Sequence, residues 1–189
     1  MLVVAVAPAS ARTDGWKTHR VTGGGFSVAA PGSWIDVTRL SPEVLAKAKE
    51  IPSLRDYVEL AKKSKAVKLI LVDAGSAAVK SHYASNVNVI VVPSGGDLQL
   101  LKDASVAQLE TSGIVVGKVA SQIVTLPAGK AAQLRYQARY TATSPVVTLL
   151  QYLLIHDGKS TVITYTTLPK LRSAYDEAFT RSARSFRYL

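Results

Sequence analysis

Histidine is the residue best suited to general-base catalysis and metal binding near neutral pH, and this chain has three: His19, His82 and His156. They are far apart in the sequence, and none belongs to an H-x-x-x-H or H-E-x-x-H motif. An isolated histidine has no second group with which to move a proton or hold a cation. We therefore predict no catalytic residue, no metal-ligating residue and no cofactor.

The other motifs of enzyme chemistry are also missing. No serine lies in a G-x-S-x-G motif, and the glycine clusters match neither a Walker loop nor G-x-G-x-x-G. Asp176 and Glu177 are neighbours in a predicted helix, so their carboxylates point in different directions. The sequence contains no cysteine, so we expect no disulfide, no thiolate chemistry and no cysteine lipid anchor. An enzyme whose site is assembled from residues distant in sequence stays open as an alternative.

The net positive charge of the chain indicates a binding role instead. Lysine and arginine number 23 against 13 acidic residues, a formal net charge of +10, which attracts nucleic acid, anionic lipid or acidic polymer. Arg135 and Arg139 project from one face of a predicted strand, about 13 Å apart at roughly 3.3 Å per residue, and are our candidate anion-binding residues. The alternatives are that a helix covers this face or that the arginines only solvate it. Trp16 and Trp34 are isolated, so no aromatic stripe is available to stack bases, which argues against nucleic acid.

The N-terminal residues predict export. An apolar run at residues 2–7 precedes an A-x-A pattern at Ala9 and Ala11, as at a signal-peptidase site. We interpret residues 1–11 as a truncated signal peptide, which places the protein outside the cell, in the periplasm or in the cell envelope; a short first strand is the alternative. Residues 12–25 are predicted to be a loose lead-in to a single domain over residues 26–189. No apolar run in the sequence is long enough for a transmembrane helix.

Local signals place the helices. Ser41-Pro42-Glu43 combines a capping residue, proline at the first helical position and an early acid. Ser53 and Asp56 resemble a capping box, and Asp97 is a further N-cap. These signals and the apolar periodicity predict helices at residues 42–50, 54–63, 98–111 and 169–186.

Strands fill most of the remaining chain. β-Branched and alternating segments predict strands at residues 26–29, 67–72, 86–92, 115–126, 131–141, 149–156 and 159–166, with a loop over residues 74–85. Asp157-Gly158 predicts a two-residue hairpin turn. Consecutive strands joined in this way predict an α+β fold, in which helices sandwich an antiparallel sheet.

Several stretches, in order and spacing, resemble the PsbP-like family, which includes extrinsic PsbP and exported LpqN-type bacterial proteins. They are G-F-S-V-A-A-P-G-S-W at residues 25–34, V-N-V-I-V-V at 87–92, L-P-A-G-K-A-A-Q-L-R-Y at 126–136, Q-Y-L-L-I-H-D-G-K at 151–159 and A-F-T-R-S-A-R-S-F at 178–186. The resemblance implies the same helix-covered antiparallel sheet, an exported location and a non-enzymatic accessory or binding role. It carries over no catalytic residue.

Together these features predict a non-enzymatic, exported accessory protein that binds another protein or a component of the cell envelope. A peripheral binder of anionic lipid or polymer is the alternative that the net charge favours. An enzyme is the third possibility, and it requires an imidazole, a carboxylate and a hydroxyl to meet in a cleft.

Overall fold

The computed structural model describes residues 15–94 and 96–189, so the predicted signal peptide lies outside the described residues. The strands are β1 Trp16–Val21, β2 Phe26–Pro31, β3 Ile35–Asp36, β4 Val67–Val72, β5 Asn86–Pro93, β6 Val115–Leu126, β7 Gly129–Ala138, β8 Val147–His156, β9 Lys159–Thr167 and β10 Arg187–Tyr188. The helices are α1 Pro42–Glu50, α2 Pro52–Lys63, α3 Ser76–Ser81, α4 Leu98–Thr111 and α5 Arg172–Ser185.

Seven strands form one antiparallel sheet in the order β3-β4-β5-β9-β8-β7-β6. The β8–β9 hairpin turns at Asp157 and Gly158, whose φ angles are 47° and 68°. Two successive positive φ values are those of a turn that matches the twist of the strands, so the predicted hairpin is confirmed. The predicted α+β class, with helices on an antiparallel sheet, is also confirmed.

A second sheet contains three strands in the order β1-β2-β10. Residues 16–21 therefore form a strand, and the prediction of a loose lead-in over this segment is wrong. His19 and Val21 pair with Val28 and Phe26 and face the core, whereas the intervening Arg20 is exposed. Because only one face of β1 is buried, its sequence is mostly polar and gives a weak strand signal.

Two helix starts follow their capping residues. The Oγ atom of Ser41 accepts a hydrogen bond from the amide of Val44 over 3.3 Å, and the Oδ1 atom of Asp97 accepts from the amide of Gln99 over 2.7 Å. These side chains satisfy amides that the first helical turn leaves without partners. Helices α1 and α4 consequently have the predicted bounds.

Two local predictions were wrong. Helix α2 begins at Pro52, not after a cap at Ser53, because the Oγ atom of Ser53 accepts a hydrogen bond from the amide of Ala84 over 2.8 Å. The segment predicted as a loop over residues 74–85 contains α3. Ala78 of this short helix is buried in the apolar cluster beneath α1 and α2, and that tertiary contact outweighs the weak local signal.

Helices α1 to α4 cover one face of the large sheet in two groups, α1 to α3 in one and α4 in the other. Helix α5 and the small sheet cover the opposite face. The second face holds the largest core. Phe26 of β2 stacks on Phe186, which follows α5, with ring centroids 5.3 Å apart, and both side chains are fully buried. Burial of each ring stabilises the fold by roughly 1.5–3 kcal/mol. The predicted apolar stripe of the last helix thus packs on the sheet.

Candidate binding site

A strip of the large sheet lies between the two groups of helices that share one of its faces. Helix α2 packs on β4, and α4 packs on β6, β7 and β8. Strands β5 and β9 lie between β4 and β8 in the sheet. Their side chains on the helical face therefore form the floor of a channel with α2 and α3 on one side and α4 on the other. We call this channel the central trough.

The floor of the central trough follows from the strand register. Along β5, Asn86, Asn88, Ile90 and Val92 alternate with residues that enter the opposite core. Their neighbours on β9 are Thr166, Thr164, Val162 and Ser160, and Gln151 of β8 lies beside Thr164. Asn88, Ile90 and Val162 are half-buried and Val92 is exposed, whereas Asn86, Ser160, Thr164 and Thr166 are buried. The floor therefore keeps surface that a ligand can contact.

One end of the central trough holds a cluster of hydroxyl and amide groups. The Nδ2 atom of Asn86 donates to the hydroxyl of Tyr57 over 2.6 Å, and this hydroxyl lies 3.1 Å from the hydroxyl of Tyr83. Asn86 is fully buried, and its Oδ1 atom has no hydrogen-bond partner among the described residues. A buried acceptor without a partner costs about 1–3 kcal/mol. A buried water molecule at this point would recover that energy.

The middle of the floor is also polar. The Nε2 atom of Gln151 donates to Oγ1 of Thr164 over 3.1 Å. The side chain of Asn88 makes no hydrogen bond within residues 15–94 and 96–189. An amide offers two donors and an acceptor. Asn88 is therefore available to bind the backbone or a polar side chain of a ligand.

The tyrosines at this end of the central trough, Tyr57 and Tyr83 with Tyr136 and Tyr140 nearby, are neutral. Burial raises the pKa of Tyr57, Tyr83 and Tyr136 well above the usual value for a phenol, and a negative charge on Tyr140 would raise all three further. Burial also raises the pKa of Tyr140, whose side chain is 55% exposed. A phenol that keeps its proton can donate a hydrogen bond but cannot act as a base near pH 7. The cluster is therefore equipped for recognition.

The three histidines are not brought together. His19 is buried on the inner face of β1, where burial lowers its pKa, although the Asp36 carboxylate acts in the opposite direction. His82 is exposed at the end of α3. His156 stacks on Tyr188, with centroids 4.0 Å apart, beside the hairpin turn. Among the described residues, no three histidine or acidic side chains are grouped so that they could hold a metal ion.

An acid and a phenol do meet at the other face of the sheet. The Tyr175 hydroxyl donates to Oδ2 of Asp73 over 2.7 Å, and its ring stacks on Phe179. Burial raises the pKa of Tyr175, and the nearby Asp73 carboxylate raises it further. This phenol holds its proton, so the pair anchors α5 to the end of β4.

The two predicted anion-binding arginines have different surroundings. Arg135 lies on β7 beneath α5, with Nη1 3.7 Å from Oδ1 of Asp176, whereas Arg139 follows the end of β7 and is exposed. Helix α5 thus lies over this part of the sheet, as one of the alternatives anticipated. A shallow groove of about 500 Å³ along α5 is lined by Asp176, Glu177, Thr180, Arg181 and Arg184. Anion binding at Arg135 and Arg139 stays a prediction.

Sequence reasoning did not identify the central trough. Tyr57 and Tyr140 are distant in sequence from Tyr83 and Asn86, and only the folded chain brings these four residues together. One signal was present in the sequence: Asn86 and Asn88 place two amides on the same face of a β-branched strand. Amides are depleted in strands, so a strand face that contains two of them marks a position with another role.

The architecture recurs in solved structures. Cyanobacterial PsbP (CyanoP) from Synechocystis gives a TM-score of 0.57 at 13% identity, over 100% of this chain and 98% of that chain. The Ran-binding protein Mog1p of Saccharomyces cerevisiae gives 0.57 at 13% identity, over 92% and 95%. A protein of unknown function from Pseudomonas aeruginosa gives 0.51 at 14% identity, over 90% and 94%. The chain thus has the PsbP-like fold, as the sequence resemblance implied.

No protein-family model and no curated protein matches the sequence. Within the described part of the chain, no helix has both the length and the apolar composition needed to cross a membrane. Identities this low establish the fold, and a fold by itself does not assign a function.

Proposed function

We propose that this chain is a non-enzymatic binding protein that recognises a protein partner through the central trough. One observation carries the proposal: a strip of sheet between two groups of helices, lined by neutral phenols and amides, keeps the side chains of Asn88, Ile90 and Val162 partly accessible. Such a strip offers both apolar contact area and directional hydrogen bonds. A folded protein presents both kinds of group together.

The residue types of the central trough support a protein partner. Tyrosine is enriched at protein interfaces, where its ring contributes apolar area and its hydroxyl a hydrogen bond. Tyr140 is 55% exposed beside the buried phenols, and Ile90 and Val162 add half-buried apolar area. The name of Mog1p, a Ran-binding protein, adds support by analogy, because a protein with this fold binds another protein.

The same residues support a non-enzymatic role. The trough floor and its tyrosine cluster contain no histidine and no acidic residue within the described part of the chain. The phenols keep their protons, so the site supplies no general base near pH 7. Hydroxyl and amide groups alone give hydrogen bonds and orientation.

The proposed partner lies outside the cytoplasm. This part of the proposal depends on the apolar run and the A-x-A pattern within residues 1–11 of the sequence. N-terminal sequencing of the protein recovered from its own cells tests it. We expect a mature chain that starts at Arg12, and a mature chain that retains residues 1–11 would contradict export by this signal.

Site-specific photo-crosslinking in the native cells tests the trough itself. A photoreactive amino acid replaces Ile90 on the trough floor or, as the control, Leu100, which is 69% exposed on the outer side of α4. We expect one discrete protein adduct from position 90 and none of the same mass from position 100. The Asn88→Arg substitution, which puts a bulky charge beside Ile90, should abolish that adduct.

Two outcomes would contradict the proposal. One is the same pattern of adducts from both positions, which indicates random collision. The other is the absence of a protein adduct from position 90 while circular dichroism shows a folded chain.

A further inference from the structure

The outer face of the small sheet carries a row of cations. Arg20 of β1 and Arg187 of β10 both pair with Ser27 of β2, one on each side. The strand spacing places their Cα atoms about 10 Å apart. Phe26 and Val28 point into the core, so Ser27 and the two arginines face outward.

A third arginine joins this row from α5. The guanidinium of Arg181 lies over the ring of Trp16, 4.3 Å from its centroid. Trp16 precedes Arg20 by four residues on β1. Because side chains alternate between the two faces of a strand, both project from the same face. We call Trp16, Arg20, Arg181 and Arg187 the basic face.

These cations are not neutralised within the described part of the chain. None of Arg20, Arg181 and Arg187 has a carboxylate within 4.0 Å in residues 15–94 and 96–189. Arg187 uses Nη1 for the carbonyl oxygens of Arg184 and Phe186, which fixes its position and keeps its charge. The basic face therefore has a positive potential that attracts anions.

We propose that the basic face docks on an anionic phospholipid membrane. The residues between the arginines are short (Thr18, Ser27 and Ala29), so the cations stand on a shallow surface that suits a plane of headgroups. Tryptophan is an amphipathic ring that membrane interfaces favour. Single-stranded nucleic acid fits this surface less well. Its bases need a free aromatic face on which to stack, and Arg181 already covers a face of Trp16.

Membrane docking and partner binding use opposite sides of the molecule. The small sheet packs through Phe26 and Val28 on the face of the large sheet that the central trough does not occupy. A membrane beneath the basic face leaves the trough exposed to a protein partner. This inference is independent of the proposed function, because each surface can be tested without the other.

Co-sedimentation with lipid vesicles tests the inference on the purified chain. The vesicles contain phosphatidylcholine alone or phosphatidylcholine with phosphatidylglycerol at about one third. We expect binding only to the anionic vesicles, with an affinity that falls as salt rises. Combined R20Q, R181Q and R187Q substitutions should weaken binding about 100-fold, because each basic residue near a charged membrane contributes about one kcal/mol.

A variant with an equal loss of charge is the control. It combines K49Q, K65Q and K80Q, three exposed lysines on the helical side of the molecule, and it should bind nearly as tightly as the unmodified chain. Equal weakening by both variants would show a response to net charge and would overturn the basic face as the docking surface.

Two further results would overturn the inference. The first is the absence of binding to anionic vesicles at low salt. The second is displacement from vesicles by millimolar inorganic phosphate at constant ionic strength, which indicates a site for a small anion. Thermal unfolding of each variant checks that it remains folded.

Discussion

Asn86 of β5 donates a hydrogen bond from Nδ2 to the hydroxyl of Tyr57 on α2 over 2.6 Å. This contact joins the middle of the large sheet to the helix that borders the central trough. The Tyr83 hydroxyl lies 3.1 Å from the Tyr57 hydroxyl. The Tyr57 phenol therefore connects α2, the segment that follows α3, and β5. The trough is therefore held in shape by neutral hydrogen bonds, and its recognition groups are already positioned before a partner arrives.

Tyr57→Phe tests this connection. The substitution removes the acceptor of the Asn86 amide and leaves a buried donor with only a 3.4 Å contact to the Ala84 carbonyl. We expect the free energy of unfolding to fall by about 1–3 kcal/mol in urea denaturation. The control is Tyr140→Phe, at a side chain that is 55% exposed, and its cost should be within about 0.5 kcal/mol. Equal costs would contradict a special role for the Tyr57 hydroxyl.

Phe186→Ala tests the packing that fixes the small sheet to α5. The ring is fully buried and stacks on Phe26 with centroids 5.3 Å apart. Its removal leaves a cavity, so we expect a loss of about 3–5 kcal/mol in calorimetry or urea denaturation. Leu100→Ala removes an apolar side chain that is 69% exposed and should change stability by less than about 0.5 kcal/mol. A small effect of F186A would show that this stack does not hold the layers together.

His19 should make stability depend on pH. Burial lowers its pKa, so the unfolded chain binds a proton more readily than the folded chain. The contribution of His19 to stability is therefore present above the unfolded value of about 6.5 and is lost as the pH falls below it. Urea denaturation at pH 7.5 and pH 5.5 should show a smaller loss of stability on acidification for His19→Gln than for the unmodified chain.

The exposed His82 supplies the control for that experiment. A His82→Gln variant that flattens the pH dependence as much as His19→Gln would contradict the assignment to the buried imidazole. So would an unmodified chain that is more stable at pH 5.5 than at pH 7.5 while His19→Gln is not.

Gly158→Ala tests the hairpin turn between β8 and β9. The φ angle of Gly158 is 68°, a conformation that costs a residue with a Cβ atom about 1–2 kcal/mol. We expect a matching loss of stability in thermal unfolding. Gly23→Ala is the control, because Gly23 has no positive φ angle and a Cβ atom there would contact nothing within 4 Å. Equal thermal stability of the Gly158→Ala and Gly23→Ala variants would contradict the turn geometry.

The parts of the fold that local chemistry decides could be predicted from the sequence. Ser41 and Asp97 cap the helices that they precede, and Asp157-Gly158 makes its hairpin turn. In each case the deciding hydrogen bond or φ angle lies within a few residues. These elements therefore form where the sequence predicts them.

The parts that depend on distant partners could not be predicted in the same way. Strand β1 has a polar sequence and becomes a strand because β2 pairs with it and buries His19 and Val21. Ser53 resembles a cap but accepts instead from Ala84, 31 positions away in sequence. The central trough has the same origin, because Tyr57 and Asn86 are neighbours only through the packing of α2 beside β5.

Calorimetric titration of the protein captured at position 90 against the purified chain tests the central claim most directly. The Asn88→Arg variant introduces a charge on the uncharged floor, and we expect it to bind that protein at least about tenfold more weakly. The combined R20Q, R181Q and R187Q variant, changed only on the basic face, should bind with unaltered affinity. Equal affinity of Asn88→Arg and the unmodified chain would contradict recognition through the central trough.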